Sequence, residues 1–202
     1  KELSMFFSDL QGFTTISEAL SPEELTSLLN DYLTAMTDII MEEGGTVDKY
    51  EGDAIIAFWN APLDLEDHAI HAVRSALRCQ ETLARLRPVF RERTGKELHM
   101  RIGLNTALVV VGNMGSHERF DYTMMGDGVN LAARLEGINK QFYTYTMISQ
   151  WTKERIGDAF PVRELSKVAV VGKREAVTVY EPMYAEEYEK RKNDLARFQE
   201  GL

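Results

Sequence analysis

Two aspartates, Asp9 and Asp53, stand where apolar runs break into turns. Asp9 closes Leu3-Ser4-Met5-Phe6-Phe7-Ser8, and Asp53 follows Asp48-Lys49-Tyr50-Glu51-Gly52 and precedes Ala54-Ile55-Ile56-Ala57-Phe58-Trp59. An ionised carboxylate beside a buried strand is costly unless something compensates it. If the two turns meet, a hard divalent cation such as Mg²⁺ is the natural compensator, because it takes carboxylate oxygens and leaves room for substrate phosphates. Either aspartate alone reads as a turn or capping residue. The pair, each after an apolar strand, favours a metal and an enzyme acting on a phosphorylated substrate.

Other side chains fit that chemistry. Asn130 and Arg134 in Gly126-Asp127-Gly128-Val129-Asn130-Leu131-Ala132-Ala133-Arg134-Leu135 are i,i+4 near a helix start, with Leu131, Leu135 and Ile138 on the buried side. An amide and a guanidinium facing one way near a helix N-terminus suit an anion or a ribose. Arg101 interrupts the apolar Met100-Arg101-Ile102-Gly103, either as a satisfied edge arginine or as a phosphate clamp, and Lys173 after Gly172 is a weaker case of the same kind. Lys49 shares a face with Asp53 if no bulge intervenes, yet reads equally well as a strand-edge lysine. His68 and His71 are i,i+3 without a third ligand and read as a helix-surface pair, not a metal site. No Ser-His-Asp arrangement is visible, and none is needed if the nucleophile is the substrate's own hydroxyl.

The elements that must position these residues are readable in outline. Residues 3–9 form a buried strand. Ser21-Pro22-Glu23-Glu24 starts a helix with Ser at the N-cap, Pro at N1 and Glu at N3. Leu25, Leu28, Leu29, Tyr32, Leu33, Met36, Ile39 and Ile40 keep its period until Gly44-Gly45 stops it. Thr46 to Tyr50 and Ala54 to Asn60 make a hairpin around Glu51-Gly52, with Asp53 near its tip. A second long helix runs from about Leu65 to about Thr94. His99 to Ala107, with Leu108 to Asn113, gives further strand; Asp121 to Met125 another; Gly128 to Lys140 a third helix; and residues 160–184 the closing strands, with Gly172 at a turn. The order strand, helix, two strands, helix, strand predicts an α/β (α+β) domain with a ferredoxin-like split βαβ core. A catalytic unit over 1–184 and a solvated helical tail over 185–202 complete the expected organisation.

Composition bounds the function. The chain has 202 residues, 44% hydrophobic and 27% charged, enough for a core without staples. A net charge of −9 argues against a general nucleic-acid binder. The lone Cys79 cannot form an internal disulfide and reads as a small buried hydrophobe in a reducing, cytoplasmic setting. No apolar stretch predicts a membrane span and no signal peptide is visible. The opening directly on a strand, without Met, leads us to expect a piece of a longer protein whose upstream sensor domain is elsewhere, in a parent that is soluble or membrane-anchored.

Together, Phe6-Phe7-Ser8-Asp9-Leu10-Gln11-Gly12-Phe13-Thr14, Asp48-Lys49-Tyr50-Glu51-Gly52-Asp53 and Gly126-Asp127-Gly128-Val129-Asn130 resemble the catalytic domain of class III nucleotidyl cyclases, through to Val170-Val171-Gly172-Lys173. The resemblance implies conversion of ATP or GTP to a 3′,5′-cyclic monophosphate and pyrophosphate at the interface of a head-to-tail homodimer. It implies that Asp9 and Asp53 hold two Mg²⁺ or Mn²⁺ ions, with Arg101 near the phosphates. The other protomer would bring Lys49 and Thr123 for the base, Asn130 for the ribose and Arg134 for the transition-state phosphate, while Lys173 would meet the terminal phosphates. Lysine donates hydrogen bonds and cannot accept them, so Lys49 suits N1 of adenine and not the N1–H of guanine. ATP is therefore the expected substrate, and the Lys49–Thr123 pair is similar to a bicarbonate-responsive bacterial subgroup. Val171 and Ala107 depart from the family pattern. The competing expectations are a guanylyl cyclase and a non-catalytic dimerisation module, though the latter should lack one of Asp9, Asp53, Asn130 or Arg134. A diguanylate cyclase would carry a different hairpin tip.

Overall fold

The computed structural model describes residues 1–169 and 176–199. The first apolar run becomes β1 (Glu2–Leu10), whose alternate residues enter two different cores. After a short α1 (Phe13–Ser17), the capping box forms as predicted. The Glu24 N–H donates to Ser21 Oγ at 3.2 Å and the Ser21 N–H donates to Glu24 Oε2 at 2.9 Å, opening α2 (Pro22–Glu42). Beyond that helix, Gly45 lies so close to Trp59 that an added Cβ would sit 2.7 Å from its ring. The hairpin follows as β2 (Thr46–Glu51) and β3 (Ala54–Trp59), then α3 (His68–Thr94) and β4 (Met100–Leu108).

β5 (Val110–Gly115) and β6 (Phe120–Met125) form a separate two-stranded ribbon, so Leu108 to Asn113 is not one strand: the chain leaves the main sheet after Leu108. α4 (Asp127–Phe142), β7 (Thr146–Ser149), α5 (Gln150–Ile156), β8 (Val162–Val168), β9 (Val177–Pro182) and α6 (Ala185–Gln199) complete the chain. α1, β7 and α5 escape the sequence reading because each is too short to show a period.

The main sheet runs β2-β3-β1-β4-β7-β9-β8. β3 inserts antiparallel between β1 and β2, giving the expected split βαβ core, and the closing strands extend it beyond β4. α2 and α3 bury Leu28, Tyr32, Met36, Ile40, Val73 and Leu83 against one face. On the other, Leu3, Met5, Ile56 and Phe58 meet the ribbon's Met124 and Ala132 of α4.

α4 lies almost on the backbone of β4. A Cβ at Gly103 would fall 2.2 Å from the Glu136 nitrogen and 2.4 Å from the Ala132 oxygen. At the helix start, a Cβ at Gly128 would meet that of Ala107 at 2.6 Å, so the Ala107 methyl fills the space beside this glycine. Asn105 Nδ2 donates to the Gly128 carbonyl at 2.9 Å, and Asn139 Nδ2 to that of Ile102, also at 2.9 Å, tying both ends of the helix to the strand.

Two expectations need correction. His68 is not a surface residue: it is 5% exposed, with Nδ1 2.9 Å from Ser4 Oγ, while His71 turns to Glu43. α3 is packed too deeply for its first turn to present both rings to solvent. The tail helix is not simply solvated either, since Leu195 is buried and Arg191 reaches Glu181 on β9 at 3.4 Å.

Gly103→Ala should destabilise the fold by about 3 kcal/mol or more, since backbone on both sides must move; a denaturant midpoint close to wild type would contradict the close approach. Cys79 is fully buried, and burial pushes its thiol up to about 12. A thiol reagent at pH 8 should therefore label native protein negligibly and denatured protein stoichiometrically.

Candidate active site

Asp9 sits near the end of β1, on the face that carries Leu3 and Met5. Asp53 follows the tight turn at Gly52, whose φ of 65° favours glycine. Because β3 pairs with β1, the hairpin tip folds over the end of β1, and the Leu10 N–H donates to Asp53 Oδ2 at 2.8 Å. The two aspartates therefore converge. Burial, reinforced by the neighbouring Asp9 carboxylate, pushes Asp53 up to about 6, against the opposing pull of the Leu10 N–H.

Arg101 is Asp9's register partner on β4, and its Nη2 lies 3.4 Å from Asp9 Oδ2. Its Nε donates to Glu136 Oε1 on α4 at 2.9 Å. The arginine is satisfied, but on a central strand and not at an edge. Glu136 is a site residue that the sequence motifs do not include. Its signal is weak, because one acid among helix residues reveals no partner until α4 is laid on β4. Burial raises its pKa, with the nearby Arg101 charge opposing the shift. Asp9 and Glu136 both reach the Arg101 guanidinium and Asp53 lies beside Asp9, and this local concentration of acidic charge fits a site for cations. Asp9 and Asp53 are the residues suited to hold them. Among the described residues, no cluster of three or more His, Cys, Asp or Glu with metal-binding geometry occurs.

Lys49 reaches its place differently from the expectation. The register between β2 and β3 shifts between Val47 and Lys49, and the chain turns before Asp53, so the extended four-residue spacing does not apply. Lys49 pairs with Ile56, which belongs to the same core cluster as Met5. Beside it, the Asp48 side chain is only 2% exposed, and its Oδ2 accepts from Thr123 Oγ1 of β6 at 2.6 Å. Lys49 Nζ lies 3.8 Å from Asp48 Oδ1. Lys49, Asp48 and Thr123 form one group joining the hairpin to the ribbon. The sequence signal for Asp48 is an aspartate inside a strand, where that residue is depleted.

Asn130 and Arg134 are both exposed on α4, while Leu131 and Leu135 are buried, as the spacing predicted. At roughly 100° per residue, Arg134 and Glu136 are about 200° apart around the helix. Arg134 therefore faces away from the side that meets Arg101. Lys173, like Val171 and Gly172, lies outside the described residues.

Residues 1–181 match the family described as the adenylate and guanylate cyclase catalytic domain. Adenylate cyclase 1 of Rhizobium meliloti (strain 1021) is 37% identical over 181 residues, which cover 90% of this chain but only 27% of that protein. The crystal structure of the adenylyl cyclase CyaB from P. aeruginosa superposes with a TM-score of 0.85 at 36% identity, covering 92% of this chain and 95% of that one. The guanylyl cyclase Cya2 is nearly as similar, with a TM-score of 0.84, 35% identity and coverage of 91% and 92%. By sequence and by structure, this chain belongs to the adenylate and guanylate cyclase catalytic domain family.

Proposed function

We propose that the chain is an adenylyl cyclase catalytic domain that converts ATP to 3′,5′-cyclic AMP and pyrophosphate at the interface of a head-to-tail homodimer. The observation that carries this reading is the convergence of Asp9 and Asp53 beside the Arg101–Glu136 pair. Asp9 and Asp53 would hold two Mg²⁺ or Mn²⁺ ions. When bound, these would supply charge neutralisation on the triphosphate and activation of the ribose 3′-hydroxyl.

The protein's own contribution is position and charge. Asn130 would orient the ribose, and Arg134 would balance the charge that grows on the α-phosphate as the 3′-oxygen attacks in line. The bond to the β-phosphate breaks and pyrophosphate departs. Lys173 would meet the terminal phosphates. Arg101, held between Asp9 and Glu136, would lie at their edge. Lys49 would donate to N1 of adenine and Thr123 would meet the amino group, the pair on which the likeness to bicarbonate-responsive bacterial enzymes rests.

Two observations support a divided site. Arg134 projects away from the face of α4 that reaches Arg101, so one chain does not aim both halves at one nucleotide. Val110, Phe120 and Met125 of the ribbon are 65%, 61% and 62% exposed, an apolar surface suited to a second copy. The guanylyl alternative meets a physical objection at Lys49, whose ammonium faces a donor on guanine. No helix among the described residues is long and apolar enough to cross a membrane. Because the chain is about a quarter the length of the Rhizobium relative, its regulatory domain in a longer parent is likewise a proposal.

Purified protein should form cyclic AMP from ATP with Mg²⁺ or Mn²⁺, and Asp53→Asn should lower the rate by about a hundredfold or more. In the same variant without divalent ions, the thermal midpoint should equal or exceed that of wild type, since a neutral group replaces a carboxylate disfavoured by burial. Adding Mg²⁺ should raise the wild-type midpoint and leave the variant's in place; identical shifts would contradict a cation site at Asp53. Specific activity should fall on dilution as the dimer dissociates, and a rate strictly proportional to protein down to picomolar would argue against a weak dimer.

A further inference from the structure

We infer that Asp48 is a positioning residue that gives the base pocket its polarity: by accepting the hydrogen bond of the Thr123 hydroxyl, it leaves an oxygen that can only accept from the nucleobase. The inference rests on the adenylyl reading and adds a residue to it. Asp48 sits at the register shift in β2, between Val47 and Lys49, and its side chain is 2% exposed. It is too hidden to touch a base itself and acts through its neighbours.

A carboxylate has no hydrogen to give, and a threonine hydroxyl has one. The 2.6 Å bond from Thr123 Oγ1 to Asp48 Oδ2 commits that proton in a short, charge-assisted contact. The lone pairs that remain on Oγ1 accept and do not donate. Adenine presents an amino group at C6 and matches them, whereas guanine presents the O6 acceptor and is repelled. Asp48 Oδ1 is buried without a hydrogen-bond partner, and the Lys49 ammonium lies 3.8 Å from it. One carboxylate thus holds a donor, Lys49, for adenine N1 beside an acceptor, Thr123, for its amino group. A buried carboxylate oxygen without a hydrogen bond costs stability, so we read Asp48 as serving the discrimination between bases and not the fold. With the carboxylate gone, the Thr123 hydroxyl is free to turn its proton toward O6.

The test compares kcat/KM for ATP and GTP in wild type, Asp48→Asn, Thr123→Val, Thr123→Ser and the double variant Asp48→Asn, Thr123→Val, with circular dichroism as the check on folding. Asp48→Asn should lower the ATP:GTP ratio by about tenfold or more, because a hydrogen bond of fixed polarity becomes reversible. Thr123→Ser should keep the wild-type ratio and Thr123→Val should lose it. On the Thr123→Val background, Asp48→Asn should move the ratio by less than about twofold, since its effect passes through the hydroxyl. A folded Asp48→Asn protein with the wild-type ratio, or with equal losses on both nucleotides, overturns the inference. If Asp48→Asn does not fold, the threonine variants decide, and a Thr123→Val protein that keeps its preference overturns it. A wild-type protein that makes cyclic GMP in place of cyclic AMP overturns the adenylyl reading and this inference together. Cyclic AMP formation with an unmoved ratio overturns this inference alone.

Discussion

The contact between α4 and β4 is the constraint on which the rest of the site depends. Helix and strand come so close that neither Gly103 nor Gly128 has room for a side chain, and Asn105 and Asn139 pin the two ends of the helix to the strand. This fixes the rotation of α4 about its own axis. Glu136 is thereby aimed at Arg101, and Arg101 is held beside Asp9. The same rotation sends Asn130 and Arg134 outward. A helix with larger residues at this contact would ride higher and could not serve both faces.

The acidic cluster shows the conflict between folding and function. Two aspartates at the end of β1 and the tip of the hairpin, with Glu136 behind them, place more negative charge together than Arg101 offsets, and Asp53 is pushed up to about 6. Nothing about packing requires that excess. Such an excess suits a site able to hold a divalent cation. The hairpin and ribbon follow the same pattern on a smaller scale, with Asp48 buried between a lysine and a threonine.

Much of this was legible in advance. Ser21 and Glu24 announce their capping box, Asn130 and Arg134 declare a shared face by spacing, and the order of long elements gives the split βαβ core. The short elements α1, β7 and α5 were not legible, because a few residues cannot display a period. The face shared by Lys49 and Asp53 was not legible, since a register shift and a turn intervene where an unbroken strand would be needed. His68 and the tail helix misled because a polar residue at helical spacing does not reveal whether its partner is water or Ser4, Glu2 or Glu181.

By itself, then, the sequence determined which residue types are present and at what local spacing: the carboxylates at strand ends, the amide–guanidinium pair and the apolar periods that make the long helices and strands. These are short-range properties, governed by backbone geometry within a few residues. Only the tertiary structure decided that Glu136 would orient Arg101, that Asp48 would accept from the Thr123 hydroxyl, and that Arg134 would turn away from the aspartates. Each of these joins residues tens of positions apart. Their meeting is set by strand register, a bulge and the depth at which one helix lies on one strand, quantities that no local pattern encodes.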